Sequence, residues 1–443
     1  MDSTRQRRSY DGVNAEDAQM QIPASKPVYS RKTTPACGNV LLHSSHHGTE
    51  GCPVMQRLRI DLIAAARPNF MKVAPLYHAL HEQPWCRLRL VHTGQHYDQN
   101  MSEAFFRDLK LPPPDLHLGV GSGSHAKQTA DVMLAYEEAC AADRPDLVVV
   151  VGDVNSTMAC TLVGAKLHIP IAHLEAGLRS GDRRMPEEIN RLVTDTLADI
   201  LWTPSPDADE HLAAEGVPPE KITRVGNIMI DSYELMRDRI QASGERRRLG
   251  LEGREYGVVT LHRPSNVDTP ASLSVLVAQL TGIAAKVPLV FPVHPRTRKN
   301  LETFGLWKQL AEAPGLRVVE PLGYVDFMNL VCGARLAITD SGGVQEETTY
   351  LDIPCLTLRT TTERPITVTE GSNRLVTAAE LERTVDAILA GRWTHGRKPA
   401  LWDGHTAERV AADIHKRLLG RAPEAIEEAA EANGSRQAVV GHA

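Results

Sequence analysis

The chain has 443 residues, of which 42% are hydrophobic and 23% charged, with a formal net charge of -6. That length exceeds what one hydrophobic core usually serves, so two domains are expected, and the mild acidity gives no general basic field for nucleic acid. No run approaches the roughly 18 apolar residues of a membrane span, and the N-terminus has no apolar signal segment. The seven cysteines (Cys37, Cys52, Cys86, Cys140, Cys160, Cys332, Cys355) form no C-x-x-C pair. The expectation is a soluble cytoplasmic protein with neither a disulfide framework nor a zinc site.

Residues 1-56 are rich in Arg, Ser, Gly, His and Pro and lack helical or strand periodicity, which predicts a disordered leader. His43, His46 and His47 read as part of a solvated tail rather than a metal site, and Met55 stands as an alternative start. From Leu58 the pattern changes. LRIDLIAA, RLRLVH, DLVVVVGD and IPIAHLEAG are short apolar runs separated by helical stretches, the signature of a parallel sheet covered on both faces. A second series follows Val225, with YGVVTLH, PLVFPVH, LRVVE, ARLAITD and IPCLTL.

The fold class is therefore α/β, with two doubly wound domains side by side: residues 57-226 and 227-402, joined near Gly226 and Asn227. The segment 403-420 carries Val410, Ala411, Ile414 and Leu418 at helical spacing, suited to packing back on the first domain. Residues 421-443 read as a frayed tail.

Ligands of open parallel sheets bind beyond the carboxyl ends of the strands. The first strand runs into ARPNFMK, which places Arg67 and Lys72 at a helix start suited to anions, without the glycines of a dinucleotide fingerprint. A nicotinamide dehydrogenase is disfavoured. Asp153 ends LVVVVGD, and Glu175 follows IPIAHL together with His173 and Arg179. Acids directly after buried strands are awkward as structure and suit chemistry. In MPEEINR, Pro186 opens a helix with Glu187 and Glu188 in its first turn. Glu187 and Arg191 share a face at a spacing of four.

In the second domain His262 and Arg263, then His294 and Arg296, stand just past strands. The strongest local signal is TDSGGVQEE, where Ser341, Gly342 and Gly343 lead into a helix. Glycines there let phosphate oxygens approach backbone N-H groups, and a carboxylate one turn on can accept from ribose hydroxyls. Downstream, TTERP supplies Arg364.

ARPNFMKVAPL, TGQHYDQNM, VVVGDVNST, AHLEAGLRS, MPEEINR, LHRPSN, FPVHPRTR, TDSGGVQEE and TTERP, in that order, resemble the non-hydrolysing UDP-N-acetylglucosamine 2-epimerases from about Leu58 to Leu419. The resemblance implies two Rossmann-like domains of GT-B type, substrate in the interdomain cleft, a homodimer, and no nicotinamide or metal. It implies catalytic roles for Asp153, Glu175, Glu187 and His262, and UDP-holding roles for Arg67, Lys72, Arg191, His294, Phe327, Ser341, Gly342, Gly343, Glu347 and Arg364. The implied reaction is anti elimination of UDP to a 2-acetamidoglycal, followed by re-addition.

Departures from the family pattern fall at Ala65, where many relatives have glycine, and between Glu175 and Glu187, which is shorter than in the enterobacterial form. QHYDQ also differs from that form's QHR pattern, which weakens the case for an effector site at Gln95 and His96. The rivals are a hydrolysing epimerase, an epimerase of a UDP-diacetamido hexuronic acid, a GT-B retaining glycosyltransferase that would not need the three acids, and a silent nucleotide-sugar sensor.

Overall fold

Buried runs of Val, Ile and Leu need neighbours on both faces, and short strands alternating with helices supply them by right-handed crossover into parallel sheets. The computed structural model describes residues 57–65, 67–94, 109–394 and 396–420, with Arg67 and Pro68 described in backbone only. The 1-56 leader with its histidines and Met55, the 421-443 tail, and Gln95 and His96 lie outside the described residues.

Seven strands form the first sheet: β1 (Leu58–Ala64), β2 (Cys86–His92), β3 (Leu116–His117), β4 (Leu147–Val151), β5 (Ile171–Leu174), β6 (Ile200–Thr203) and β7 (Ile222–Arg224). Their order is β3-β2-β1-β4-β5-β6-β7, and the registered pairs are parallel. The second sheet contains β8 (Gly257–Thr260), β9 (Leu289–Pro292), β10 (Leu316–Val319), β11 (Leu336–Thr339), β12 (Cys355–Thr357) and β13 (Asn373–Leu375), ordered β10-β9-β8-β11-β12-β13. Each sheet thus reverses direction once, between β1 and β4 and between β8 and β11. At these switch points the flanking helices diverge and leave a crevice at the strands' carboxyl ends.

The short strands β3, β6 and β13 escape a reading based on long apolar runs. β6 is only ILWT, and β3 is a two-residue edge strand.

The main helices of the first lobe are α1 (Arg67–His81), α2 (His125–Ala142), α3 (Asn155–Lys166), α4 (Pro186–Leu197) and α5 (Pro206–Ala214). Asn69 closes the turn from β1 into α1: its side chain accepts from Ala65 N at 2.9 Å and donates to Val151 O at 2.8 Å. The ends of β1 and β4 are thereby tied together at the switch point.

After β7 the chain passes through Gly226 and Asn227 into α6 (Ile228–Ala242), whose first turn Asn227 caps by accepting from Met229 N at 2.9 Å. Ser232 on α6 donates to Met71 O of α1. The helix α12 (Thr406–Leu418) returns to lie against α1 and α6. Ala407 N donates to Asp231 at 2.8 Å, and Trp202 Nε1 donates to Asp413 at 2.8 Å.

One apolar cluster runs from Ile60, Leu62 and Leu76 through Met229, Tyr233 and Ile240 to Tyr256, Val258 and Met328, with Val410 and Ile414 of α12. The lobes therefore share core along α6, and a cleft remains open at the carboxyl ends. Two further clusters fill the outer faces of each sheet.

Gly226 has φ +99°, and a Cβ there would stand 2.1 Å from Leu401 O. Both the left-handed backbone and the close backbone neighbour demand glycine. Gly226→Ala is expected to lower stability by about 1–3 kcal/mol from strain alone, with the clash in addition. Calorimetric unfolding checks this, and an unchanged midpoint would contradict the tight joint.

Candidate active site

The cleft between the lobes has a volume of about 760 Å³ and takes its walls from both sheets. From the first lobe come Lys72, Asp153, Glu187 and Arg191. From the second come His262, His294, Phe327, Ser341, Gly342, Gly343, Glu347 and Arg364. Glu175 stands just behind this wall, bound to Lys72. The side chain of Arg67 is not described, although its backbone opens α1 at the same end of β1.

The acids of the first lobe are each presented differently. Glu175 is buried, has φ +74°, and gives one oxygen to Lys72 Nζ while its Oε1 has no hydrogen-bond partner. A positive φ on a non-glycine residue carries strain of order 1–3 kcal/mol, which the surrounding structure must hold in place. Here Glu175 N and Ala176 N both donate to Trp202 O at 3.1 Å. Burial disfavours the Lys72 ammonium, but Glu175 and then Asp153 outweigh it and raise its pKa; Arg364 across the cleft opposes them. Lys72 is a fixed cation.

Asp153 is only partly buried and meets Arg191 Nη1 at 3.0 Å; Asn190 Nδ2 donates to its carbonyl at 2.8 Å. The anticipated Glu187–Arg191 pairing is replaced by others. Arg191 is buried against Asp153 and, at 3.2 Å, Glu188. On α4 the i,i+3 neighbour Glu188 faces inward, where it also accepts from Ser180 and Gly181, and Glu187 is left exposed at the cleft rim. Its negative charge acts on Arg263 of the opposite lobe.

In the second lobe the carboxyl end of β11 organises the histidines. Asp340, fully buried, accepts from His262 N and Arg263 N and from Asn266, and its Oδ1 lies 3.0 Å from His262 Nδ1. Burial pushes the Asp340 carboxyl up, but His262 and its other donors outweigh this and lower its pKa. With Nδ1 held, Nε2 is the His262 nitrogen available to a ligand. His294 lies beside it, with ring centroids 5.5 Å apart; burial and then His262 lower its pKa. The Nδ1 of His294 accepts from Arg296 N, so this ring also offers Nε2.

The helix α10 (Gly342–Tyr350) begins at Ser341, whose side chain makes no cap hydrogen bond, so the first N-H groups are free of that competitor. A Cβ at Gly342 would stand 3.0 Å from Arg364 Nη1. Arg364 is bound by Glu346 at 2.7 Å and Glu363 at 2.9 Å. Glu346 also accepts from Asn227 at the joint between lobes. Its pKa is raised by burial, lowered by Arg364, and raised again by Glu175 of the first lobe. Glu347 lies one residue on with Oε1 unpartnered, and burial pushes it up to about 8; Tyr324 opposes this and Glu346 adds to it. A buried carboxyl with an open oxygen suits hydroxyls of a ligand.

Sequence reasoning missed Asp340, Glu346, Glu363 and Asp195, although the first two stand inside the quoted TDSGGVQEE. The position of Asp340 straight after a buried strand was the available signal, and Glu346 stands in the helix that follows. Asp195 on α4 carried none, because its partner His173 is distant along the chain. The described residues contain no cluster of three or more His, Cys, Asp or Glu side chains able to hold a metal ion.

Two doubly wound lobes with a cleft across the carboxyl ends of both sheets place the protein in the GT-B class of α/β proteins. Comparison with known proteins narrows the class. A family model described as UDP-N-acetylglucosamine 2-epimerase matches residues 78–415. The UDP-N-acetylglucosamine 2-epimerase of Methanocaldococcus jannaschii is 38% identical over 361 residues, covering 80% of this chain and 98% of that protein. The UDP-2,3-diacetamido-2,3-dideoxy-D-glucuronate 2-epimerase of Pseudomonas aeruginosa is 41% identical over 326 residues, covering 73% of this chain and 89% of that protein. The crystal structure of the M. jannaschii enzyme in complex with UDP-GlcNAc and UDP aligns with a TM-score of 0.73 at 37% identity, covering 81% of this chain and 99% of that one. The chain belongs to the UDP-N-acetylglucosamine 2-epimerase family, a family of isomerases.

The Glu347 carboxyl yields a pH prediction. Its folded value of about 8 lies above the ordinary 4.5, so between these limits the folded protein holds a proton that the unfolded chain has released. The associated stability is complete below the ordinary value and lost as pH rises through about 8. Without ligand, Glu347→Gln is expected to flatten the fall of the unfolding midpoint over this window. A pH profile identical to the parent's would remove Glu347 as its source.

Proposed function

We propose that this protein interconverts UDP-N-acetylglucosamine and UDP-N-acetylmannosamine by eliminating UDP and adding it back. The observation that carries this reading is one cleft with carboxylates Asp153, Glu175 and Glu187 on the first lobe and glycines, cations and Glu347 on the second. C2 of the sugar has no adjacent carbonyl, so its proton cannot simply be withdrawn and returned. A carboxylate removes the C2 proton, those electrons form the C1=C2 bond, and the C1-O bond breaks with its electrons going to UDP. Return of a proton to the opposite face of C2 and attack of a UDP oxygen on C1 give the epimer. The step is redox-neutral and calls for no nicotinamide.

Within this proposal Asp153 and Glu187 exchange the proton at C2, with Glu175 tuning or replacing one of them. Lys72 lies between Glu175 and the cleft, where it would meet the diphosphate. His262, oriented by Asp340, stabilises departing UDP together with His294 and Arg364, and the ribose hydroxyls bond to Glu347. Phe327 is available to stack on the uracil.

The P. aeruginosa relative raises a second reading, a sugar bearing a carboxylate. Four described cations of the cleft have a close acidic partner, Lys72 with Glu175, Arg191 with Asp153, Arg296 with Asp268 and Arg364 with Glu346, while the fifth, Arg263, lies 3.9 Å from Glu363. UDP brings further negative charge, and a hexuronate would add more, so the charge balance supports the neutral sugar. The homodimer and a cytoplasmic location belong to the proposal as well, and sedimentation of the purified protein tests the former.

Incubation with UDP-N-acetylglucosamine in deuterated water, with no added cofactor, is expected to give UDP-N-acetylmannosamine carrying deuterium at C2, followed by NMR. Free N-acetylmannosamine would indicate a hydrolysing enzyme, and turnover of the diacetamido hexuronate alone would favour the second reading. Asp153→Asn or Glu187→Gln is expected to slow C2 exchange by about 100 to 10,000-fold. Undiminished exchange removes that residue from the mechanism.

A further inference from the structure

Behind the first-lobe wall of the cleft runs a buried chain of polar groups that the reaction scheme does not use. His173, in the middle of β5, is 0% exposed. Its Nε2 lies 2.9 Å from Gly152 O and its Nδ1 lies 2.6 Å from Asp195 Oδ1. A carbonyl oxygen can only accept, so Nε2 carries a hydrogen.

Asp195, near the end of α4 and 2% exposed, also receives Gly177 N at 3.0 Å and Arg179 Nη1 at 2.7 Å. Burial pushes its carboxyl up, but His173 and Arg179 more than reverse this and hold it ionised. The pair therefore touches three segments. Gly152 immediately precedes Asp153, Gly177 closes the turn that contains Glu175, and α4 carries Glu187 in its first turn.

The turns so joined have little freedom. Gly152 has φ +72°, and a Cβ there would stand 3.3 Å from both Glu175 Oε2 and Lys72 Nζ. Gly177 has φ +80°, and a Cβ there would stand 2.3 Å from Ala208 O. Backbone this crowded transmits a shift of one turn directly to the next.

We propose that His173 and Asp195 are positioning residues: together they set the separation of Asp153, Glu175 and Glu187 and so govern proton transfer at C2 without contributing to the hold on UDP. This rests on the epimerase reading given above. On that reading UDP is held chiefly by the second lobe, with Lys72, bound to Glu175, as one contact among several, so misplacing the acids slows chemistry far more than it weakens nucleotide affinity. A displacement of about 1 Å in such a constellation can cost on the order of 100-fold in rate.

Two substitutions separate the parts. In His173→Asn the amide can reach only the Nδ1 position, so the link to Gly152 is lost. In His173→Gln the amide can reach the Nε2 position and keep it. UDP affinity by calorimetry, kcat, C2 deuterium exchange and the unfolding midpoint are measured for each.

The expected result is UDP affinity within about threefold of the parent in both variants, kcat and exchange reduced about 100-fold in His173→Asn, and about tenfold of that, but not all of it, recovered in His173→Gln, which keeps the link to Gly152 and gives up the one to Asp195. Three results overturn the proposal: parental kcat in His173→Asn, UDP affinity and kcat falling together, or no recovery in the glutamine variant. Should the asparagine variant not fold, His173→Gln is read alone. A loss of about tenfold in kcat with UDP affinity kept then supports the proposal, and parental kcat overturns it. Absence of C2 exchange in the parent protein would instead sink the epimerase reading itself, so the two failures are distinguishable.

Discussion

A cleft that gathers buried carboxylates from two sheets must also supply the cations that keep them charged, and this constraint shapes the whole site. Taking a carboxylate out of water is costly unless a cation and hydrogen bonds meet it. Lys72 meets Glu175, Arg191 meets Asp153 and Glu188, and Arg364 meets Glu346 and Glu363, while Asp340 is met by hydrogen bonds from His262 N, Arg263 N and Asn266. The charges are also felt across the cleft, since Glu175 acts on Glu346 and on Arg364 of the other lobe. Glu347 lies outside this balance, and its carboxyl is driven toward the neutral form.

The same arrangement explains the division of labour between lobes. The six-stranded sheet repeats the order of the first six strands of the seven-stranded one, so each offers a crevice at its own switch point, and the shared core along α6 holds the two crevices facing each other. The first lobe fills its crevice with acids on tight turns. The second fills its crevice with glycines, paired histidines and a helix start, features that suit a nucleotide diphosphate. Asn227 stands where the lobes join: it caps α6 and donates to Glu346, so the joint and the charge cluster are mechanically connected.

Relatives acting on a neutral and on a carboxylated sugar nucleotide are similarly close to this chain. Overall similarity therefore does not decide between those substrates, and charge in the cleft is the relevant physical property. Lys72, Arg191, Arg296 and Arg364 sit against acids, and Arg263 lies 3.9 Å from Glu363, so this balance is what a substrate carboxylate would meet.

Strand-end positions, the α/β alternation and the motif order were all legible in the amino-acid sequence, because buried parallel strands are apolar runs and the polar residues after them fall at their carboxyl ends. Asp153, Glu175, His262 and Ser341 through Gly343 could be singled out on that basis alone. Pairing was not legible. The spacing of Glu187 and Arg191 suggested a partnership on one helix face, yet the buried Arg191 guanidinium turns inward to the buried Glu188 and the partly buried Asp153, and Glu187 stays exposed. The chain from Gly152 through His173 to Asp195, and the field of Glu175 on Arg364, join residues far apart in the sequence. Local periodicity reports which face of an element is apolar; which charges meet is set by the packing of one element on another, and only the tertiary structure decides that.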